Sequence, residues 1–282
     1  MDQTSLRHAA TVNIHPGSYV VNSIPRGLVL IINIEEYKLG VEGDERRGST
    51  LDAARLRRLL EEFSYHVSVH DNNTADYITN LVKDFSRKEE FKYVDAAIVV
   101  VLAHGSDGEI IASDGERVSI MELLRNFCAD QCPLLAGKPK FFIFQACRGT
   151  DSESGYIFSK EAQQDSQFRP APQGEIVCPI AYQPKPDTQS SFSDYLIAYP
   201  TVQGYAAWRT RENGSPFIQR LEEVFRNDSH NEQVLDMLYA VSKHMAKQPI
   251  VQALTGERHF QTSQIECTLR KPFYFWTDDL SP

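Results

Sequence analysis

The sequence lacks the features of membrane and secreted proteins. Its apolar runs span eight residues or fewer, whereas a helix that crosses a bilayer needs about 20. Residues 1–16 lack the basic start, the apolar centre and the small-residue cleavage site of a secretory signal. We therefore expect no membrane partner and a cytoplasmic location.

Cysteine is also scarce. Five cysteines in 282 residues are an odd number spread thinly along the chain, which is typical of reduced thiols and not of a disulfide framework. Cys128 and Cys132 stand four positions apart, but no His or Cys pair follows at a zinc-binding spacing. This spacing favours a buried, inert pair over a zinc site, and we expect no metal and no cofactor. The five are Cys128, Cys132, Cys147, Cys178 and Cys267.

Positive charge is in deficit. The net charge is -9 at pH 7, and Lys and Arg are scattered along the chain. Proteins that bind nucleic acid need a basic face that neutralises phosphates. We therefore expect no nucleic acid partner.

The chain has enough apolar residues, 41% of its length, to bury a large core.

The apolar pattern of the first half predicts strands that alternate with helices. Runs rich in Val and Ile at 28–34, 96–103 and 141–146 do not alternate with polar residues, which is typical of strands buried on both faces. Helical periodicity occupies 53–63, 78–85 and 120–127. Strands and helices in alternation predict an α/β fold with a mostly parallel sheet between two helical layers. Thr74 and Ser119 are predicted helix caps, and Asp114-Gly115 a hairpin turn.

The pattern stops after Gly149 for about 40 residues that are rich in Pro, Ser and Gln. A compact domain seldom contains so long a loop unless the loop is functional or is cut. Order returns with a predicted strand at 195–201, a helix that Ser215 and Pro216 begin, and a helix around Val241. An aromatic strand is predicted at 272–276.

Two predicted strands end in reactive side chains. One is followed by His104, and the other leads into the pentapeptide Gln145-Ala146-Cys147-Arg148-Gly149. Because functional groups collect at the carboxyl edge of parallel sheets, we expect His104 and Cys147 to be neighbours. A thiol becomes a nucleophile beside a base, and an imidazole can take up its proton. The amides of Gly105 and Cys147 could form an oxyanion hole.

Taken alone, a His and a Cys at strand ends could be packing residues. The pentapeptide decides against this, because it fits the caspase signature Q-A-C-[RQG]-G, which expects a His about 50 residues upstream; His104 precedes Cys147 by 43 residues. The chain resembles the caspase family in five segments, in order along the chain. They are 46–54, 103–105, 137–149, 204–209 and 213–218.

This resemblance implies a caspase-like fold and an aspartate-specific cysteine peptidase that acts in programmed cell death. It assigns Arg46, Gln145 and Arg209 to the pocket for the substrate residue before the cut, called the S1 pocket below. Two guanidiniums and an amide suit a short carboxylate, which arginine binds in bidentate fashion. Arg47 is adjacent to Arg46, and a register error could exchange them.

The resemblance also assigns residues to the more distant subsites. They are Ala206, Ala207, Trp208 and Thr210. Ala206 stands where many caspases have a bulkier Tyr or Val, which implies a roomier pocket for the residue two before the cut. Thr210 and Pro216 replace an Asn and a Trp of some relatives, so a strict demand for aspartate at the fourth subsite is doubtful.

The resemblance divides the chain into four parts: a short N-terminal peptide (1–22), a large subunit (23–150), a linker (151–190) and a small subunit (191–282). The short first part resembles effector-type caspases or a chain from which a longer prodomain was trimmed. Asp165 and Asp187 are candidate processing sites in the linker, whereas Asp194 aligns with a structural position.

Implied partners are protein substrates with an exposed Asp, an upstream activating protease or adaptor, and a second copy of the chain. The aromatic strand at 272–276 is the predicted edge for this homodimer, because a bare sheet edge invites pairing. Two alternatives stay open: a catalytically silent caspase-like scaffold, and a peptidase of the same fold that cuts after basic residues.

Overall fold

The computed structural model describes residues 15–38, 45–106, 108–153, 190–251 and 256–277. In this part of the chain no helix is long and apolar enough to cross a membrane. The helices are α1 (Ser49–Glu62), α2 (Ala75–Ser86), α3 (Ile120–Arg125), α4 (Pro216–Asp228) and α5 (Val234–Lys247). The strands are β1 (Gly27–Asn33), β2 (His66–Asp71), β3 (Ala96–Leu102), β4 (His104–Ser106), β5 (Glu109–Ile111), β6 (Arg117–Ser119), β7 (Lys140–Gln145), β8 (Gly149–Asp151), β9 (Tyr195–Tyr199), β10 (Gly204–Tyr205), β11 (Ile250–Val251), β12 (Arg258–His259) and β13 (Gln264–Cys267).

A six-stranded sheet in the order β13-β9-β7-β3-β1-β2 forms the centre of the fold. All neighbours pair in parallel except β13, which is antiparallel to β9. The strands β1, β3, β7 and β9 are buried along their whole length, as their continuous apolar sequences predict. The predicted α/β fold with a central, mostly parallel sheet is confirmed.

Helices cover both faces of this sheet. Alternate strand residues such as Ile31, Val100 and Ile143 pack with α1, α4 and α5 in one core. The residues between them, such as Ile32 and Val101, pack with α2 and α3 in a second core. The two-residue period of a strand sends successive side chains to opposite faces. An uninterrupted apolar strand therefore supplies both cores.

The predicted turn and capping signals are confirmed. The hydroxyl of Thr74 accepts from the amide of Tyr77 at the start of α2, and Ser119 caps α3 in the same way. The turn between β5 and β6 contains Gly115 with φ 87°, a left-handed conformation that glycine adopts without a Cβ clash. Ser215 and Pro216 begin α4, although the Ser215 hydroxyl makes no bond within that helix.

The sequence prediction of a strand at 272–276 is wrong. These residues form no strand, and Phe273 and Phe275 are fully buried. Phe275 packs on Phe63 with ring centroids 5.0 Å apart, and its carbonyl accepts from the Tyr65 hydroxyl at 3.0 Å. The aromatic run belongs to the core because its rings fill space between helices. The two edge strands of the central sheet are β13, next to β9, and β2, next to β1. The sequence reasoning predicted neither of them.

Asp194 directly precedes β9 and ties the start of this strand to the start of β7 and to the segment that follows β13. Its carboxylate accepts from the Tyr19 hydroxyl at 2.7 Å and from the Arg270 guanidinium at 2.8 and 2.9 Å. Lys140, 1% exposed, lies 4.0 Å from the same carboxylate. Burial alone would raise the pKa of Asp194, but the bonds from Arg270 and Tyr19 and the charge of Lys140 lower it. The structural role expected for Asp194 agrees with this geometry.

Candidate active site

The strand register brings His104 and Cys147 to one edge of the sheet. Leu102 at the end of β3 is level with Gln145 at the end of β7, and the amide of Ala103 donates to the Gln145 carbonyl at 3.2 Å. The segments that follow β3 and β7 therefore leave the sheet side by side, and His104 and Cys147 both line one cavity of about 290 Å³. This placement is the one expected at the carboxyl edge of parallel strands.

Gly105 allows this close approach. A Cβ on Gly105 would lie 2.8 Å from the carbonyl oxygens of Cys147 and Glu109 and 2.9 Å from the Cβ of Ala146. The obstructing oxygens belong to backbone on both sides, so neither can rotate away. Only glycine at this position lets the segment after β3 lie against the segment that carries Cys147.

The Cys147 thiol and the His104 ring each contact neighbouring groups. The amide of Ala207 donates to the Cys147 sulfur at 3.4 Å, and the Ala207 carbonyl lies 3.8 Å from that sulfur. The amide of His104 donates to the Tyr37 hydroxyl at 2.8 Å, and the two rings are 4.9 Å apart. Residues 206–208 therefore border the cavity directly beside the nucleophile candidate.

Arg46 is almost completely buried, with 2% of its surface exposed. One terminal nitrogen, Nη1, donates to the Ile34 carbonyl at 2.9 Å and to the Ser49 hydroxyl at 2.6 Å. The other, Nη2, reaches the Gln145 carbonyl at 3.4 Å. Burial, and then the positive charge of Arg209, lower the pKa of Arg46 to about 10. Arg46 remains a cation at neutral pH, fixed by neutral acceptors.

Arg209 approaches the same cavity from the other side. Its Nε donates to the Arg47 carbonyl at 3.0 Å, so Arg47 contributes backbone and its own side chain pairs with Glu45 outside the cavity. Burial lowers the pKa of Arg209. Neither Arg46 nor Arg209 forms an ion pair with a carboxylate in the described part of the chain.

Gln145 completes this end of the cavity. It is 2% exposed, and its Oε1 atom is buried with no hydrogen-bond partner among the described residues. A buried amide without a partner is costly, because its water contacts are lost and not replaced. The Oε1 atom is an acceptor and does not attract an anion, so the sign of a site for a small anion is the pair of cations, Arg46 and Arg209, without carboxylate partners among the described residues.

The remaining wall of the cavity comes from the segment after β10. Ala206, Ala207 and Trp208 line it, whereas Thr210 does not. The Thr210 hydroxyl instead accepts from the Asn213 amide at 3.1 Å in a turn. Ser152 also lines the cavity, and the sequence reasoning missed it. The complete lining is Arg46, Ala103, His104, Gln145, Ala146, Cys147, Ser152, Ala206, Ala207, Trp208 and Arg209.

Trp208 is held in place by two residues that the sequence reasoning also missed. The His259 ring stacks on its indole at 4.4 Å, and Gln261 accepts from its amide at 2.8 Å. Gln261 is itself fixed, because it donates to the Pro200 carbonyl at 2.8 Å. No local pattern marks His259 or Gln261, because both lie about 50 positions from Trp208.

A short parallel pair joins the two halves of the cavity. Strand β8, which follows Cys147, pairs with β10, which precedes Ala206. A Cβ on Gly149 would lie 2.0 Å from the Gly204 carbonyl, so the pair requires glycine at 149. The predicted linker lies between β8 and β9, and its residues 154–189, with Asp165 and Asp187, fall outside the described residues.

The other cysteines that the structure describes lie outside this cavity, whereas Cys178 falls outside the described residues. Cys128 and Cys132 are buried and Cys267 is exposed. The described residues contain no cluster of three or more His, Cys, Asp or Glu that could hold a metal ion. Burial raises the pKa of both Cys128 and Cys132, which keeps them as thiols at neutral pH.

Comparison with known proteins gives consistent matches. Residues 26–274 match the family described as caspase domain. The chain is 30% identical to caspase-3 of Bos taurus over 92% of this chain and 87% of that protein. It is 31% identical to caspase-2 of Gallus gallus (81% and 53%) and 32% identical to cell death protein 3 of Caenorhabditis remanei (91% and 51%). The chain thus spans about half the length of the last two relatives.

Among solved structures, caspase-1 from Spodoptera frugiperda superposes with a TM-score of 0.78 at 26% identity. The match covers 96% of this chain and 97% of that one.

Proposed function

Since the chain belongs to the caspase family, we propose that it is a cysteine endopeptidase that cleaves proteins after aspartate and acts in programmed cell death. One observation carries the proposal. Arg46 and Arg209 border a cavity that also contains the Cys147 thiol, and neither has a carboxylate partner among the described residues. A substrate aspartate would supply the missing anion next to the nucleophile.

The pocket chemistry favours aspartate over its analogues. The Nη groups of Arg209 have no acceptor in the described part of the chain, and they can bind a carboxylate together with Arg46 and the Gln145 amide. Glutamate would place its charge one methylene deeper, and asparagine would leave both cations without an anion. Sites built on such polar pairs reject analogues by about 10⁴- to 10⁵-fold.

In the proposed reaction, His104 takes the proton of the Cys147 thiol and the sulfur attacks the main-chain carbonyl carbon of the substrate aspartate. The oxyanion is stabilised by the amides of Gly105 and Cys147, each worth about 2.7 to 4 kcal/mol. The intermediate collapses as His104 gives its proton to the leaving amine, which leaves a thioester. Water, deprotonated by His104, then hydrolyses the thioester and the thiol is restored.

Residues 206–208 are proposed to bind the substrate segment before the aspartate. The amide and carbonyl of Ala207 now contact the Cys147 sulfur, and an extended peptide would pair with this backbone. Ala206 leaves room for a large residue two before the cut, with Trp208 as the aromatic wall. Thr210 lies in a turn outside the cavity lining, so we propose only an indirect role for it.

We propose that the chain matures by cleavage into a large part (23–150) and a small part (191–282). Cys147 and His104 precede residues 154–189 and Arg209 follows them, so the candidate site draws on both parts. Asp165 and Asp187 are the proposed processing sites, for an upstream protease or for the enzyme itself. The short N-terminal peptide (1–22) and the cytoplasmic location also remain proposals.

A homodimer is proposed through β13 and no longer through residues 272–276. Strand β13 is an edge strand of the central sheet, and its last two residues, Glu266 and Cys267, are exposed. An open edge presents backbone groups that a second copy can pair with. Sedimentation of the protein with Ile265→Pro tests this: the substitution should shift the protein to monomer.

Hydrolysis of a peptide library tests the proposed function. Purified protein should prefer Asp before the cut, and Cys147→Ala should abolish turnover, whereas Cys267→Ala, which removes an exposed thiol elsewhere, should not. A preference for Lys or Arg would indicate the basic-specific alternative. Absence of turnover in the processed protein would indicate a silent scaffold.

A further inference from the structure

Asp52 connects two segments of the chain, one that precedes residues 154–189 in the sequence and one that follows them. It belongs to the first turn of α1 and its side chain is 0% exposed. The amide of Ser215, just before α4, donates to both carboxylate oxygens at 3.0 and 2.9 Å, and the Ser215 hydroxyl donates at 2.6 Å. A carboxylate at a helix N-terminus is also favoured by the helix dipole.

Two glycines bring the loop 209–215 against α1. A Cβ on Gly214 would lie 2.1 Å from the Asp52 carboxylate, and one on Gly48 would lie 2.4 Å from the Thr210 carbonyl. Both glycines have positive φ, 77° and 89°, so side chains are disfavoured there twice over. Arg55 adds a further tie, because it donates to the Asn213 carbonyl and lies 3.6 Å from Asp52.

The loop held in this way carries Arg209. Arg209 and Arg46 are like charges at one cavity. Burial is the largest cause that lowers the pKa of Arg46, and the repulsion by Arg209 is the second. The negative charge of Asp52 favours the protonated form of both arginines. Asp52 is therefore both the mechanical tie and a counter-charge for the arginine pair, without lining the cavity itself.

We propose that Asp52 is a positioning residue for the S1 pocket: its carboxylate holds the loop 209–215 so that Arg209 faces Arg46. The proposal rests on the proposed function of that pocket. Asp52 contacts neither the cavity nor Cys147, so its effect on cleavage passes through Arg209.

Acid should favour the closed form of the loop 209–215, because opening would expose Asp52 to water and return its pKa towards the ordinary value. Burial raises the pKa of Asp52 to about 6, although the Ser215 bonds and the charges of Arg46 and Arg55 oppose the shift. Arg209 acts on it from the loop 209–215, and Glu222 of α4 lies behind Arg55 at 3.4 Å. Protonation weakens the attraction between Asp52 and its Ser215 and arginine neighbours, but it removes the larger cost of burying a charged carboxylate.

The test compares Asp52→Asn with Ser215→Ala. Asp52→Asn keeps the size and one acceptor but removes the charge, whereas Ser215→Ala keeps the charge and the amide bond and removes one hydroxyl. Amide hydrogen exchange of 209–216 should accelerate about tenfold in Asp52→Asn, as expected for loss of a charge-assisted bond. Exchange in β3 should not change.

Paired peptides with Asp or Asn before the cut give the functional readout. In Asp52→Asn the preference for Asp should fall about tenfold through KM, with kcat retained, and Ser215→Ala should keep the wild-type preference. Unchanged exchange in 209–216 would overturn the proposal. An equal loss of preference in both variants would reduce Asp52 to a structural role and would also overturn it.

Hydrogen exchange also distinguishes failure of the Asp52 proposal from failure of the proposed function and from misfolding of the variant. If wild-type protein does not prefer Asp, the proposed function fails, while hydrogen exchange still decides whether Asp52 holds the loop. If Asp52→Asn does not fold, wild-type exchange at about pH 5 and about pH 7.5, corrected for intrinsic rates, replaces it. Protection of 209–216 should then rise selectively at the lower pH, because opening of the loop exposes Asp52 and returns its pKa towards 3.8. Equal protection at the two pH values would refute the tie.

Discussion

Replacing Gly105 by Ala should impair the chemical step and leave substrate binding intact. The added Cβ would meet the carbonyl oxygens of Cys147 and Glu109 at 2.8 Å, where ordinary contact begins at 3.4 Å. The backbone must therefore move by about half an ångström, and the shift falls on the segment that carries the proposed oxyanion donor. Losing one such donor costs about 10²- to 10³-fold in kcat.

We expect kcat for an Asp peptide to fall about 10²-fold in Gly105→Ala. The value of KM should stay near that of the wild type, because the S1 arginines lie on other segments. Steady-state kinetics with a fluorogenic peptide measure both. Ser106→Ala is the control, since it changes the next residue of β4, whose hydroxyl accepts from Arg117 at 2.6 Å. A kcat within threefold of the wild type, about 0.7 kcal/mol, would refute the reasoning.

Three further predictions concern the pocket, its wall and the buried carboxylate. Arg209→Glu should abolish cleavage after Asp without lowering the melting temperature, and unaltered turnover would contradict the S1 assignment. His259→Ala removes the ring that stacks on Trp208; library profiling should show a broader preference before the Asp with Asp itself still required. Because the folded state raises the pKa of Asp52 from 3.8 to about 6, ionising this group costs about 3 kcal/mol, a penalty that is absent below about pH 4 and complete above about pH 7. In urea unfolding, the stability of the wild type relative to Asp52→Asn should therefore fall by about this amount as pH rises, and a constant difference would argue against it.

The sequence predicted the features that are encoded locally. The uninterrupted apolar runs identified β1, β3 and β7, and therefore the edge at which Cys147 and His104 meet. A five-residue signature identified the nucleophile candidate, because the segment that carries Cys147 follows β7 directly and is continuous in the sequence. These predictions depend on neighbours in the sequence, which periodicity and motifs can capture.

The features that the sequence reasoning missed depend on distant contacts. Asp52 and Ser215 are 163 positions apart, and no pattern within α1 distinguishes a buried carboxylate from an exposed one. The run 272–276 has strand-forming residues, but its rings are needed in the core beside Phe63, and tertiary packing prevailed over local propensity. Strand β13 is short and polar, and only its pairing with β9 reveals it as the sheet edge.

An aspartyl peptide ketone with a halide leaving group tests the central claim most directly. The Cys147 sulfur would displace the halide and form a thioether, whose position peptide mass spectrometry identifies. We predict a single adduct on Cys147 that forms far faster than with the matched asparaginyl ketone and that Arg209→Glu prevents. Adducts on Cys267 instead, or equal rates for the two ketones, would contradict a pocket that selects aspartate for Cys147.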